Sequence, residues 1–160
     1  MFAGTSHVDY LTKWRFLLNM MTGHCNCRAI SIEMRLSRPL ADYQPRQCDC
    51  DFCTQRGILY LSDVDGFIAI TVKTPVVVLT QGSQQAEFLQ CTHCQTVVAV
   101  KYQTEKICLG AVNVALFSER SLMQQPLPVS PKQLPASEKL QRWLQLWTPL
   151  QLSVSATARR

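Results

Sequence analysis

Eight cysteines in 160 residues constrain this chain more than any other feature, and seven of them fall into three tight clusters. They are Cys25-Asn26-Cys27, Cys48-Asp49-Cys50-Asp51-Phe52-Cys53 and Cys91-Thr92-His93-Cys94, with Cys108 standing apart. Zinc held by thiolates sits about 2.3 Å from each sulfur in a tetrahedron, which brings the sulfurs within about 3.8 Å of one another. A Cys-x-x-Cys turn or a Cys-x-Cys pair meets that requirement with little loop-closure entropy, and each supplies half a tetrahedron. Cys25 and Cys27 joined to Cys91 and Cys94 make a closed four-thiolate site. Metal binding of that kind contributes on the order of 10 kcal/mol to folding.

The middle cluster supplies three ligands, Cys48, Cys50 and Cys53, and stops. Its fourth position is left to water or substrate, the feature that separates catalytic from structural zinc. Three thiolates donate so much charge that the ion is a poorer Lewis acid than one held by neutral histidines. Capture of a sulfur ligand therefore suits it better than hydroxide generation, and a coordinated thiol is deprotonated at neutral pH. The expected cofactors are two zinc ions, one structural and one catalytic. The expected partners are a low-molecular-weight thiol and an aldehyde that adds to it. Spacing leaves two other arrangements open: the middle loop joined to the last pair, and a disulfide in the middle loop that would make a redox switch.

Between the clusters the texture is that of strands, in Ala29–Met34, Gly66–Val72, Val76–Leu79, Thr96–Tyr102 and Ala111–Phe117. The fold expected is mainly β, with antiparallel sheets in one zinc-stabilised domain and a short C-terminal helix. Residues 1–22 read as an N-terminal extension, 23–123 as the zinc-binding domain, and 124–160 as a linker, a helix and a disordered tail from Ser153. Pro126, Pro128, Pro131 and Pro135 argue against regular structure in the linker. Ser137 is placed to cap the helix, on which Leu140, Trp143, Leu144 and Trp147 share one face that packs on the β body or on a second copy in a homodimer.

The net charge of +5 is spread along the chain without a dense basic patch, so no specific nucleic-acid binding is expected. No window approaches the roughly 18 apolar residues needed to cross a bilayer. Lys13 and Arg15 precede only a short apolar run with no small-residue cleavage site, which points to a reducing, cytoplasmic compartment.

The stretch from Gly23 to about Glu119 resembles the glutathione-dependent formaldehyde-activating enzyme family, which includes centromere protein V. The matching residues are Gly23-His24-Cys25-Asn26-Cys27, the middle cluster followed by Arg56-Gly57 and Ser62-Asp63, Gly82-Ser83 ahead of Ala86-Glu87-Phe88, the last pair, and Val112-Asn113-Val114. The resemblance implies a tent-like (Mss4-like) β fold, with Cys25, Cys27, Cys91 and Cys94 on a structural zinc. It implies further that Cys48, Cys50 and Cys53 hold a catalytic zinc, at which glutathione and formaldehyde join as S-hydroxymethylglutathione in a carbon-sulfur lyase reaction run in reverse. Gly82 and Ser83 then lie beside the substrate cleft. The chain departs from the pattern at Arg28 and Gln95, where similar proteins carry glycine, and at Thr54-Gln55, which precede the basic residue Arg56.

Arg56 is a candidate partner for a carboxylate of a tripeptide thiol. Asp49 and Asp51 suit either proton transfer at the metal or capping of the loop's backbone donors. His93 and His24 read as solvated, His7 lacks a metal context, and Cys108 reads as a small buried apolar group. A zinc-stabilised binding module without turnover has the same metal requirements and is the alternative function.

Overall fold

The computed structural model describes residues 19–155. Strict alternation writes the first sheet: in β2 (Ile30–Arg35) the side chains of Ile30, Ile32 and Met34 are buried while Ser31, Glu33 and Arg35 face out. β1 (Met20–His24) pairs with it antiparallel on one side, and β5 (Phe67–Val72) does so on the other, burying Ile68, Ile70 and Val72. The second sheet holds β3 (Arg46–Cys48), β4 (Tyr60–Leu61), β6 (Val76–Leu79), β7 (Glu87–Cys91), β8 (Val97–Gln103), β9 (Cys108–Asn113) and β10 (Leu127–Val129).

β8 explains how one chain makes two cores. Val97, Val98, Ala99 and Val100 are all buried, the continuous apolar run of a strand covered on both faces. Val98 and Ala99 join a large cluster with Ile30, Ile32, Ile68 and Ile70, whereas Val97 and Val100 join a smaller one that contains Cys48, Cys53, Tyr60, Phe88 and Trp147. β9 lies so close to β8 that a Cβ on Gly110 would come within 2.5 Å of the Val100 carbonyl oxygen. Only glycine permits that approach.

The mainly β architecture expected from the sequence is present, and several details differ from it. The sheets are mixed, because β10 pairs parallel to β3 and β11 (Thr148–Val154) pairs parallel to β5. The proline-rich stretch is not all linker: β10 is an edge strand, so the N–H that Pro128 lacks is not needed by an outer neighbour. Ser153 and Val154, expected in a disordered tail, pair with Thr71 and Val72 in β11, whose first residues also pair with β9 and so bridge the two sheets. Ser137 lies inside its helix rather than capping it, since the helix begins one residue earlier, at Ala136, behind Pro135.

The apolar run after β9 turns into a 3-10 helix at Val114–Leu116, because the buried Asn113 side chain accepts from Ala115 N and from Leu59 N while donating to Val97 O. The two α-helices of the described residues are α1 (Asp51–Arg56) and α2 (Ala136–Leu146). Neither is long and apolar enough to cross a membrane. The N-terminal extension lies outside the described residues as far as residue 18, as does the tail beyond residue 155.

Candidate metal centres and the cleft beside one of them

Four sulfurs meet where two hairpin turns touch. Cys25 follows β1, Cys91 ends β7, and the sulfurs of Cys25, Cys27, Cys91 and Cys94 lie within 4.8 Å of one another. Cys25 and Cys27 are separated by 3.7 Å and Cys27 and Cys91 by 3.5 Å, close to the edge of a thiolate tetrahedron. Each turn curls its backbone toward the sulfurs: Arg28 N donates to Cys25 O and Gln95 N to Cys91 O, both at 3.0 Å. To do so Arg28 and Gln95 take left-handed conformations with φ of 64° and 60°, a region in which residues other than glycine are strained. The tight turn is therefore retained without the glycines.

The middle cluster is built differently. Cys48 ends β3, Cys50 caps α1 by accepting from Cys53 N at 3.5 Å, and Cys53 sits in the first turn of that helix. Gly57 closes α1 in the left-handed conformation, donating to the carbonyls of Cys53 and Thr54. The three sulfurs lie within 4.8 Å of one another, and among the described residues no fourth cysteine, histidine or carboxylate joins them. The Tyr60 hydroxyl is 3.1 Å from Cys53 Sγ, and Gln81 Nε2 donates to Cys50 Sγ at 3.8 Å.

Without metal the sulfurs divide their protons unequally. Hydrogen bonding from Cys53 outweighs burial and pulls Cys48 down to about 6, while that same pairing, reinforced by burial, pushes Cys53 far up. Burial and then the neighbouring Cys53 raise Tyr60, so its hydroxyl stays protonated as a donor. In the four-sulfur cluster burial lifts Cys25 to about 12. Burial acts the same way on Cys94, but donation from Thr96 and from backbone N–H groups overcomes it and brings that thiol to about 5. In each cluster the hydrogen bonds to one sulfur thus favour its thiolate, the form that binds metal.

The three-sulfur cluster lies in the wall of a cavity of about 150 Å³, and the four-sulfur cluster does not line it. Gly82 and Ser83 line that cavity. Arg56 does not: its guanidinium lies 3.9 Å from the Phe52 ring centroid and donates to Phe52 O on the exposed side of α1. Asp49 accepts from Ser130 Oγ at 2.8 Å and faces Lys132 Nζ at 3.8 Å, tying the loop to the segment after β10. Asp51 is the first residue of α1. His93 is exposed in its turn, His24 Nδ1 bonds Cys25 O at 2.8 Å, and neither joins a cluster. Cys108 is partly exposed at the start of β9 and packs against the large core.

Sequence reasoning missed several contributors to this cavity, Gln81 among them. Tyr60 carries no local signal in Ile58-Leu59-Tyr60-Leu61. Arg46 does, because residues two apart on a strand share a face, which puts it beside Cys48. Lys139 and Arg142 fall with Trp143 and Leu146 at i, i+3, i+4 and i+7 of α2, a single helical face that the apolar reading had divided differently.

Fold and site define a mainly β protein with two cysteine clusters that can each hold a metal ion. The chain is similar in structure to a Rhodobacter sphaeroides protein solved by crystallography, with 27% sequence identity and a TM-score of 0.50 over 68% of this chain and all of that one. No protein-family model and no curated protein matches it.

Proposed function

We propose that the protein binds zinc at both clusters and captures a small thiol at the three-cysteine one, adding it to, or releasing it from, an aldehyde such as formaldehyde. The donor sets fit the ion: four thiols within 4.8 Å of one another fill a tetrahedral shell, and three leave one position for a ligand from the cleft. That contrast between a full and an incomplete shell, with only the incomplete one facing a cavity, carries the proposal. Zinc bound there would hold a substrate thiol as its thiolate at neutral pH.

The chain's own residues do the rest. The Tyr60 hydroxyl donates to Cys53 and the Gln81 amide to Cys50, contacts that orient the ligand sulfurs and draw off part of their charge. Phe88, Val100 and Trp147 form a wall that excludes water from the adduct. In the reaction the sulfur pair forms a bond to the carbonyl carbon, the carbonyl π pair moves to oxygen, and that oxygen takes the proton the thiol released. Nothing is oxidised, and the reverse is carbon-sulfur lyase chemistry. The resemblance to the glutathione-dependent formaldehyde-activating family favours glutathione and formaldehyde as the pair, and free thiols at both clusters suit a reducing cytoplasm.

The test is the exchange rate among glutathione, ¹³C-formaldehyde and S-hydroxymethylglutathione, followed by NMR on protein whose zinc has been counted. About two zinc ions per chain and exchange faster than in buffer are expected. Full zinc loading with no acceleration would leave a zinc-stabilised binding module, and a folded protein that takes up no metal would remove both readings.

A further inference from the structure

Capture of a one-carbon aldehyde leaves one wall of the cleft without a task. Lys139, Arg142 and Trp143 project from a single face of α2 into the cavity, and Arg46 reaches it from β3. Among the described residues the ion pairs join Lys101 to Glu87 and Lys132 to Asp49, so none of these three cations has a carboxylate partner. The Arg46 guanidinium donates instead to a neutral hydroxyl, Ser62 Oγ, at 2.6 Å. Three cations gathered over an apolar wall repel one another, and an anion entering from solvent relieves that repulsion. Beside them Trp143 and Trp147 stack with ring centroids 4.7 Å apart and planes 15° from parallel, Tyr102 lies tilted 6.2 Å from Trp143, and both indoles line the cavity, Trp143 being partly exposed.

We propose that this wall is a subsite for a small aromatic acid, its ring lying against Trp143 and its carboxylate between Arg46, Lys139 and Arg142. A planar ring gains from stacking on indole, and arginine receives a carboxylate through two parallel N–H donors. Where this subsite acts in the function proposed above, it rests on that reading: the thiol or its aldehyde adduct is then attached to the aromatic acid and directed at Cys48, Cys50 and Cys53. The subsite itself needs no sulfur.

Calorimetric titration of the zinc-loaded protein with three sulfur-free probes tests it: 2-naphthoate, hexanoate for charge alone, and 2-naphthalenemethanol for the ring alone. Binding of 2-naphthoate about tenfold tighter than either control is expected, an advantage of about 1.4 kcal/mol. Arg142 lines the cavity yet is exposed to solvent, so Arg142→Gln should leave the fold intact and weaken both acids about tenfold while leaving the alcohol unchanged. Trp143→Leu should erase the advantage of naphthoate over hexanoate; should it lower the unfolding midpoint, the Arg142→Gln and probe comparisons still decide. Equal affinity for all three probes, or acids indifferent to Arg142→Gln, overturns the subsite. Thiosalicylate set against salicylate then isolates the sulfur end. If naphthoate binds but the thiol confers no gain, the aromatic-acid subsite stands and thiol capture falls; if simple thiols bind the zinc form while naphthoate does not, the reverse holds.

Discussion

The hydroxyl of Tyr60 and the sulfur of Cys53 lie 3.1 Å apart inside the smaller of the two cores, the phenol donating toward the most buried thiol of the three-cysteine cluster. The phenol reaches that position from β4, a strand of two residues pinned between β3 and β9, so its placement relative to α1 depends on the sheet and not on the loop that carries the sulfurs. Tyr60→Phe keeps the ring and removes the donor. Contacts of this kind to metal ligands are worth about ten- to a hundredfold in metal affinity. The variant should hold the second equivalent of zinc that much more weakly, as read by competition with a chromophoric chelator, with the first equivalent and the unfolding midpoint little changed.

The two clusters should respond differently to the loss of one sulfur. Cys91 is 1% exposed and its cluster clips the β1–β2 turn to the β7–β8 turn, both anchored in the large core. Cys50 is partly exposed and caps a helix of six residues at the cleft wall. Cys91→Ser should therefore cost several kcal/mol of stability, an appreciable part of the roughly 10 kcal/mol that a structural zinc contributes. Cys50→Ser should lower the zinc content by one ion and shift the urea midpoint only slightly. Equal destabilisation by the two would contradict the division into closed and open sites.

Arg28 and Gln95 hold left-handed conformations in the two turns of the closed cluster, and the left-handed region costs a residue with a Cβ roughly 1–2 kcal/mol. Glycine removes that strain but gives back part of the gain through a more flexible unfolded chain. Arg28→Gly and Gln95→Gly should each stabilise the protein by about 0.5–1 kcal/mol in chemical denaturation. The alanine variants, which keep the Cβ, should not.

What was legible in the sequence was what depends on short-range spacing. Within each run of cysteines in the sequence the sulfurs are at most five positions apart, so each half-site follows from local geometry, whereas the joining of Cys27 to Cys91 across 64 residues does not; β2 announces itself by alternation and β5 by its branched and aromatic residues. What was not legible depends on neighbours far along the chain. The end of β11 reads as a disordered tail from Ser153 because Gln151 and Ser153 alternate with apolar residues over only a few positions; its order comes from two strands that flank it, β5 and β9. β10 contains a proline and pairs only through its inner edge. The cleft escaped notice for a related reason: an α2 stripe of leucines and tryptophans looks like core, whereas Leu144 is 46% exposed and the cavity face is shifted round to Lys139, Arg142 and Trp143.

Asp63 supplies the acid dependence. It is 6% exposed, and its Oδ2 accepts from Tyr43 Oη at 2.5 Å, from Ser37 N at 2.7 Å and from Ser37 Oγ at 2.7 Å, while Oδ1 accepts from Asp65 N at 3.0 Å. Burial alone would raise this carboxyl, but the four donors favour the charged form and hold it below the usual carboxylate range. A depressed folded value contributes stability that is fully present above the unfolded value of about 3.9, and that is lost as pH falls from there through the folded value. Asp63→Asn puts an amide group among the donors, and a buried donor left without an acceptor costs about 1–3 kcal/mol. The wild type should therefore exceed Asp63→Asn by that amount at pH 7 and converge on it as pH falls below about 4. Thiolate protonation and zinc loss are common to both proteins, so the difference between their urea unfolding free energies isolates the carboxylate. A difference that stays constant down to pH 3 would show that Asp63 acts by shape and not by charge.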